Sequence, residues 1–299
     1  MKIIITGATG FVGTNLSAYL IGNQINVKPL SLRNSNWKPE IDPETNAIIH
    51  LAGKAHDTKN TSEANAYFEI NTKLTIELFD VFLNSAIQDF FYFSSVKAVA
   101  DTVEGVLNEE ARPDPKTPYG QSKLQAEQYV LSQQLPEGKR LFIIRPCMIH
   151  GPGNKGNLNL LYNIVKKGIP YPLATFENER SFLSIDNLNY LIYKILNSNI
   201  PSGIYNFADD TFVSTNDLVK IIGAVSHKSA RLVKIPKGII NVMATIGNIL
   251  KLPLNTESVK KLTENYKVSN QKIKTALGIK YLPVSAQQGL EKTIKSFMK

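Results

Sequence analysis

Tyr119 and Lys123 stand four residues apart in the segment Pro118-Tyr119-Gly120-Gln121-Ser122-Lys123, whose proline suits the first turn of a helix. On a helix that spacing puts both side chains on one face. A phenol with an ordinary pKa of about 10 is a poor proton donor or acceptor at neutral pH, and a nearby cation lowers that value. Lys123 is the residue in position to supply it. Ser94 and Ser95 follow the apolar run that starts at Phe90, and the Ser95 hydroxyl suits hydrogen bonding to a carbonyl or alkoxide oxygen whose charge changes as a hydride moves. Taken alone, a Tyr/Lys pair at this spacing is also common surface decoration, so its meaning depends on the elements that carry it.

A second signature lies at the start of the chain. Thr6-Gly7-Ala8-Thr9-Gly10-Phe11-Val12-Gly13 joins an apolar run to a segment of helical periodicity, with glycines spaced G-x-x-G-x-x-G. Glycine lets the backbone turn tightly and approach a pyrophosphate, and the helix N-terminus offers unpaired N–H groups to it. Gly7, Thr9, Gly10, Phe11, Val12 and Gly13 are therefore the candidate dinucleotide contacts. About 20 residues past such a loop, an NAD site places an acid for the ribose 2′-OH. Here that position reads Ser31-Leu32-Arg33, with no carboxylate. Ser31 and Arg33 suit a 2′-phosphate, so NADP(H) is expected over NAD(H); the competing reading of Arg33 is a solvated surface charge.

The elements that must position these groups alternate. Lys2 to Thr6, Ile25 to Leu30, Ala47 to Ala52, Phe90 to Ser94 and Leu141 to Arg145 read as strands; Phe11 to Ile21, Ala64 to Ser85 and Tyr119 to Gln134 read as helices. This is the pattern of an α/β fold with a doubly wound parallel sheet, whose ligands bind beyond the carboxyl ends of the strands. Only some fifteen residues separate the second strand from Ala47, barely room for a further strand and its crossover of roughly a dozen residues. After Arg145 a Gly/Asn-rich loop, Gly151 to Asn157, leads to a helix at Leu158 to Lys167 and on to Gly168 to Leu173. Asp186 to Leu196 and Gly203 to Phe207 read as a helix and strand returning to the first sheet. A helix at Thr215 to Val225, N-capped by Ser214, begins the remainder. The expected division is residues 1–149 with about 183–210 as the nucleotide domain, and about 150–182 with 211–299 as a smaller, sequence-interleaved substrate lobe.

With 299 residues and 43% hydrophobic content the chain can bury a substantial core. The net charge of +9 is spread without a dense basic run, so no nucleic-acid partner is expected. Diffuse positive charge suits small anionic ligands, such as a dinucleotide and a sugar diphosphate, or weak attraction to an acidic membrane surface; mere solubility is the plainer alternative. Cys147 is the single cysteine, and Met1 to Ile5 lacks the regions of a signal peptide, so a cytoplasmic protein is expected. Ile239 to Leu252 is apolar but shorter than the roughly 20 residues that span a bilayer, and reads as a buried helix. No metal-like spacing joins His50, His56 and His150, which read as loop or core residues; no metal is expected.

The chain resembles the extended short-chain dehydrogenase/reductases, the NAD-dependent epimerase/dehydratase family. The resemblance rests on T-G-A-T-G-F-V-G at Thr6 to Gly13, H-L-A-G at His50 to Gly53, Asn71, F-S-S at Phe93 to Ser95, P-Y-G-Q-S-K at Pro118 to Lys123 and R-P-C-M-I-H-G-P-G at Arg145 to Gly153. It implies a Rossmann-type sheet in which Ser95, Tyr119 and Lys123 form the catalytic triad, Lys123 also reaching the nicotinamide ribose. It further implies that Leu51, Ala52, Gly53, Asn71, Tyr119, Lys123 and Pro146 contact the cofactor, and that Ser95 and Lys97 contact substrate. Arg180-Ser181-Phe182-Leu183-Ser184-Ile185-Asp186 resembles the segment whose arginine grips the nucleoside diphosphate of a UDP-sugar, a task suited to bidentate guanidinium contacts. Arg180 as a plain surface charge is the alternative. Met148 departs from the pattern, standing where epimerases of the family typically place a diphosphate-binding Asn. Homodimerisation through two long helices is common in the family and is expected here.

Relatives of this kind reduce, epimerise or dehydrate nucleotide sugars. Val96-Lys97 occupy the places of the Asp-Glu pair that a 4,6-dehydratase carries after its triad hydroxyl, and Cys147 and His150 lack the arrangement of a 3,5-epimerase acid/base pair. Oxidation or reduction at C4 is left. An epimerase retains NAD, whereas a net reductase exchanges its cofactor and generally draws on NADPH, so the missing acid near Ser31 favours a reductase. S-S-V-K at Ser94 to Lys97, H-G-P-G-N-K-G-N at His150 to Asn157 and G-I-P-Y-P-L at Gly168 to Leu173 resemble a bacterial polysaccharide branch that contains UDP-4-keto-6-deoxy-hexosamine reductases and 4-epimerases. A cofactor-binding regulatory protein without turnover is the reading from another class, opposed by the intact Ser95, Tyr119 and Lys123.

Overall fold

Strands that are apolar on both faces can be buried only between two layers of helix, and this determines the architecture. The computed structural model describes residues 1–34, 36–54, 63–154, 156–250 and 255–298. In chain order it comprises β1 (Lys2–Thr6), α1 (Phe11–Gly22), β2 (Asn26–Leu30), β3 (Ala47–His50), α2 (Ala64–Tyr67), α3 (Leu74–Leu83), β4 (Asp89–Phe93), β5 (Val106–Leu107), α4 (Pro118–Ser132), β6 (Arg140–Pro146), β7 (Met148–His150) and α5 (Asn157–Lys166). It continues with β8 (Phe182–Ser184), α6 (Ile185–Leu196), β9 (Gly203–Phe207), α7 (Thr215–Val225), α8 (Lys237–Ile249), α9 (Thr256–Thr263), β10 (Lys267–Val268), α10 (Gln271–Leu277) and α11 (Ala286–Ser296).

Six strands form one parallel sheet in the order β2-β1-β3-β4-β6-β9, a Rossmann-type α/β arrangement. Alternate residues feed opposite layers. Ile3, Ile5, Phe91 and Ile144 pack with Leu16 and Leu20 of α1 and Leu188 of α6, while Ile4, Phe90 and Ile143 pack with Phe79 and Phe82 of α3 and Val130 of α4. Between β2 and β3 there is a 3₁₀ turn at Lys38–Glu40 behind a buried Trp37, and β3 pairs directly with β1. The short connection thus leaves β2 at the sheet's edge. A separate apolar cluster joins Leu161 and Val165 of α5, Leu218 and Ile222 of α7, Ile240 and Ala244 of α8, and Leu290 and Ile294 of α11. Ser214 caps α7 as its sequence suggests, accepting from the Asp217 amide.

Two expectations need correction. The helix expected from Ala64 to Ser85 is interrupted by a π-helical turn, Phe68–Lys73, between α2 and α3. Burial of the apolar helix expected at Ile239 to Leu252 applies to only one of its faces: Ile240, Ala244 and Gly247 are buried, whereas Ile239, Val242, Met243, Ile246, Ile249 and Leu250 are exposed. Periodicity detects apolar residues, and the lobe supplies a partner for a single stripe of them. Among the described residues, no helix is long and apolar enough to cross a membrane.

Candidate active site

The loop between β1 and α1 is compact because its glycines leave no room for side chains. Gly7 has φ +69°, and a Cβ there would lie 2.7 Å from the Ala52 nitrogen; a Cβ on Gly13 would lie 2.3 Å from the Gly7 carbonyl oxygen. The Thr6 hydroxyl accepts from the Ala52 amide at 3.2 Å, tying the loop to the end of β3. Gly10 precedes α1 with no side-chain cap and no acid in the first turn, which leaves the helix amides for an anion.

These features open onto a cleft of about 830 Å³ lined by Gly7, Ala8, Thr9, Gly10, Ser31, Leu32, Arg33, Leu51, Ala52, Gly53, Lys54 and Ile70, among others. Its described lining contains no carboxylate and carries Arg33 and Lys54 as cations. The cradle fits a dinucleotide: bare glycine backbone where a pyrophosphate approaches, and positive charge at the β2 end. Phe11, Val12 and Gly13 open α1 rather than lining the cleft, Gly13 serving as the contact that lets helix and loop close together. Pro146 is buried at the end of β6.

Asn71, fully buried in the π-helical turn, accepts from the Lys54 amide at 2.7 Å and donates to the Ser122 hydroxyl at 3.1 Å. A Cβ on Gly53 would meet Asn71 Oδ1 at 3.0 Å and Lys123 Nζ at 3.2 Å, so Gly53, Asn71 and Lys123 converge on one point. The wide turn of a π segment is a common feature of functional sites, and here it carries Asn71 to this position.

Thr117 caps α4, accepting from the Gly120 amide at 3.3 Å, and Pro118 occupies its first turn. Tyr119 and Lys123 thereby point to the end of β4, where Ser95 caps the short 3₁₀ turn Val96–Ala98 by accepting from the Lys97 amide at 3.1 Å. Lys123 is 6% exposed and donates to the Phe93 carbonyl at 2.8 Å. Burial lowers its ammonium to about 8, partly offset by Glu127 one turn along. The Tyr119 phenol behaves otherwise than the spacing suggests. Burial raises it above its ordinary value of 10, the Ser95 hydroxyl pulls it back by hydrogen bonding, and Tyr67, edge-on at 6.1 Å, raises it. Lys123, desolvated itself and donating to Phe93, does not offset the effect of burial. The arrangement holds a protonated phenol and a serine hydroxyl beside each other, suited to giving a proton to an oxygen that gains charge.

On the other side of Ser95, Lys97 donates to the Asp101 carbonyl at 2.7 Å and lies 4.2 Å from the centre of the Tyr266 ring. Arg180 pairs through its backbone with Val213 and donates from its guanidinium to the Lys261 carbonyl. Burial lowers both cations, Lys97 to about 8, and Arg180's charge lowers Lys97 further. Two neighbouring desolvated cations favour an anion. Arg180 also lines a second cavity, about 510 Å³, with Met148, Lys167, Phe182 and Lys261. The Met148 departure therefore gives that cavity an apolar wall.

Sequence reasoning did not find Glu127 or Arg145 as partners, although both are buried and joined by three hydrogen bonds. The four-residue step from Lys123 to Glu127 was the available signal. Lys54 and Tyr67 were also missed. His50 lies in the core between the Thr6 and Thr75 hydroxyls, at 2.7 and 2.9 Å, and burial lowers it to about 3, so it stays neutral. His150 is buried against Thr293 at 2.9 Å, while the Cys147 thiol is buried and pushed well up. His56 lies outside the described residues.

The NAD dependent epimerase/dehydratase family matches residues 3–208. The chain is 28% identical to the UDP-glucose 4-epimerase of Vibrio cholerae, covering 99% of this chain and 95% of that one. It is 29% identical to the UDP-2-acetamido-2,6-beta-L-arabino-hexul-4-ose reductase of Pseudomonas aeruginosa, covering 68% and 52%. Its fold is similar to that of RMD from Pseudomonas aeruginosa, solved in complex with NADPH, with a TM-score of 0.76, 22% identity and 99% and 98% of the two chains covered. With a family match over more than half its length, the chain belongs to the NAD dependent epimerase/dehydratase family and is an enzyme of its NAD(P)-dependent nucleotide-sugar class.

Proposed function

We propose that this enzyme reduces the C4 ketone of a UDP-4-keto-6-deoxy-hexosamine for surface polysaccharide synthesis, with NADP(H) preferred over NAD(H). The observation that carries the reading is the cleft, whose described lining offers Arg33 and Lys54 and no carboxylate. A 2′-phosphate gains from such charge, and an NAD site would want an acid there. When bound, NADPH supplies the hydride. Gly7, Thr9 and Gly10 would hold its pyrophosphate, Ser31 and Arg33 its 2′-phosphate, and Asn71 and Lys123 would shape the nicotinamide end. Tyr119 gives its proton to the new hydroxyl, and Ser95 hydrogen-bonds the same oxygen. Lys97 from the nucleotide domain and Arg180 from the second lobe anchor the substrate between them, with residues 1–149 and about 183–210 as the nucleotide domain and the remainder as the substrate lobe. The relative named as a hexul-4-ose reductase supports this reading. The single buried thiol, Cys147, fits a cytoplasmic enzyme, and the reading includes a homodimer.

NADPH should bind at least about tenfold more tightly than NADH by calorimetry, as expected for the loss of charge-assisted phosphate contacts, and Arg33→Asp should reverse the order. Equal affinities in the unaltered protein would remove the argument from the cleft's charge. The reaction itself is tested with NADPH carrying deuterium on the transferred face, offered with a panel of UDP-, dTDP- and GDP-4-keto sugars. A reductase forms stoichiometric NADP⁺ and places one deuterium at C4. The second reading is a 4-epimerase retaining NAD, supported by the UDP-glucose 4-epimerase relative. It predicts interconversion of UDP-sugars with no cofactor consumed and no label gained. Absence of any turnover across both assays would leave the non-catalytic reading.

A further inference from the structure

The three faces of α8 have different characters. Ile240, Ala244 and Gly247 pack into the second lobe, and Asn241, Thr245 and Asn248 form a polar stripe. Ile239, Val242, Met243, Ile246, Ile249 and Leu250 follow i, i+3, i+4, i+7, i+10 and i+11 spacing, which at 3.6 residues per turn is one continuous stripe. That stripe is in solvent: Val242 is 60% exposed and Ile249 76%. Single exposed apolar residues are ordinary, but a contiguous row of large ones is characteristic of an interaction surface.

The chain that forms and precedes this helix carries charge of one sign, and Glu257 on the neighbouring α9 is paired with Lys261. From Leu218 to Thr256 the sequence has no Asp or Glu, while Lys220, Lys228, Arg231, Lys234, Lys237 and Lys251 are cations. Lys228, Arg231, Lys234 and Lys237 are exposed on the segment that leads into the helix. An apolar stripe bordered by lysines, on a helix too short to span a bilayer, is the chemistry of a helix lying in the headgroup region of an anionic membrane. A second copy of the chain fits poorly. A two-fold contact sets the same patch against itself, and this stretch would meet its own cations with no carboxylate of its own, Glu257 on α9 being engaged with Lys261.

We propose that α8 and the basic segment before it dock this enzyme on the surface of an anionic lipid bilayer, with the Ile239-to-Leu250 stripe inserted at the acyl boundary. The proposal is independent of which C4 reaction the enzyme performs. It has a geometric consequence for the Arg180 cavity: α9 packs on α8 and contributes Ser258, Lys261 and Leu262 to the cavity wall, so one helix separates it from the bilayer contact.

The test is co-sedimentation of the full chain with vesicles of phosphatidylcholine alone and of phosphatidylcholine with phosphatidylglycerol, at low and high salt. The unaltered protein should sediment with the phosphatidylglycerol vesicles, less so at high salt. Ile246→Glu with Ile249→Glu should reduce the bound fraction at least tenfold without changing the melting temperature, since both side chains are exposed. If that pair lowers the melting temperature, Ile246→Ser with Ile249→Ser carries the same test. Lys234→Gln with Lys237→Gln should weaken binding to anionic vesicles selectively. Unaltered protein left in the supernatant, or Ile246/Ile249 variants that bind as well as it does, would overturn the proposal. So would light scattering that shows an oligomer broken by these variants in the absence of vesicle binding, which would make the stripe a protein interface.

Discussion

Tyr119→Phe should lower turnover on the 4-keto sugar identified by the substrate panel by roughly two or more orders of magnitude, the usual contribution of a positioned general acid. The ring keeps its edge-on contact with Tyr67, so the affinity for NADPH should change little. The loss should therefore appear in kcat with KM nearly unchanged. The pH dependence has a definite sign. Burial keeps the phenol protonated through neutral pH, and Lys123 keeps its proton below about 8. Reduction should accordingly hold its rate across neutral pH and fall on the alkaline side of that value. Turnover near normal in the phenylalanine variant would remove Tyr119 from the proton transfer.

Arg145→Ala should be among the most destabilising single substitutions in the chain. Both partners of the Arg145–Glu127 pair are almost wholly buried, with Arg145 Nε donating to both carboxylate oxygens at 3.0 and 3.2 Å. Deleting one partner of such a pair leaves an uncompensated charge and costs about 3–5 kcal/mol, a large share of the roughly 5–15 kcal/mol by which domains are stable. Arg145→Met combined with Glu127→Leu removes both charges and should recover most of the loss in urea unfolding. Glu127 also helps Lys123 keep its proton, so the double variant should move the alkaline limb of activity to lower pH. A single variant as stable as the double would show that the pair contributes no mutual compensation.

What was legible in the sequence was local. The Thr6-to-Gly13 loop, the Tyr119–Lys123 step and the helix caps are set by residues within one or two turns of each other, so spacing reports them directly. Interactions between distant segments were not legible. Glu127 meets Arg145 only once α4 has packed beside β6, and Asn71 reaches Ser122 only through a π-helical turn that no local pattern announces. The phenol of Tyr119 shows the same limit: a four-residue step gives proximity to Lys123, whereas the burial that raises the phenol comes from distant segments. In α8 the apolar pattern was plain, but which stripe would be covered depended on the size of the lobe beneath it.

The short connection after β2 also bears on how the molecule avoids other copies of itself. With no further strand outside it among the described residues, β2 presents an open row of backbone groups, the kind of template on which sheets of different molecules join. Its sequence, Asn-Val-Lys-Pro-Leu, answers that hazard. Pro29 pairs in register with Ile5 yet has no N–H, so it is tolerated where its missing donor would have faced outward. Lys28 extends from the same strand to the Glu40 carbonyl, laying a charged side chain along the rim. An intruding strand would thus meet, at this edge, a gap in the donors and a charge to desolvate.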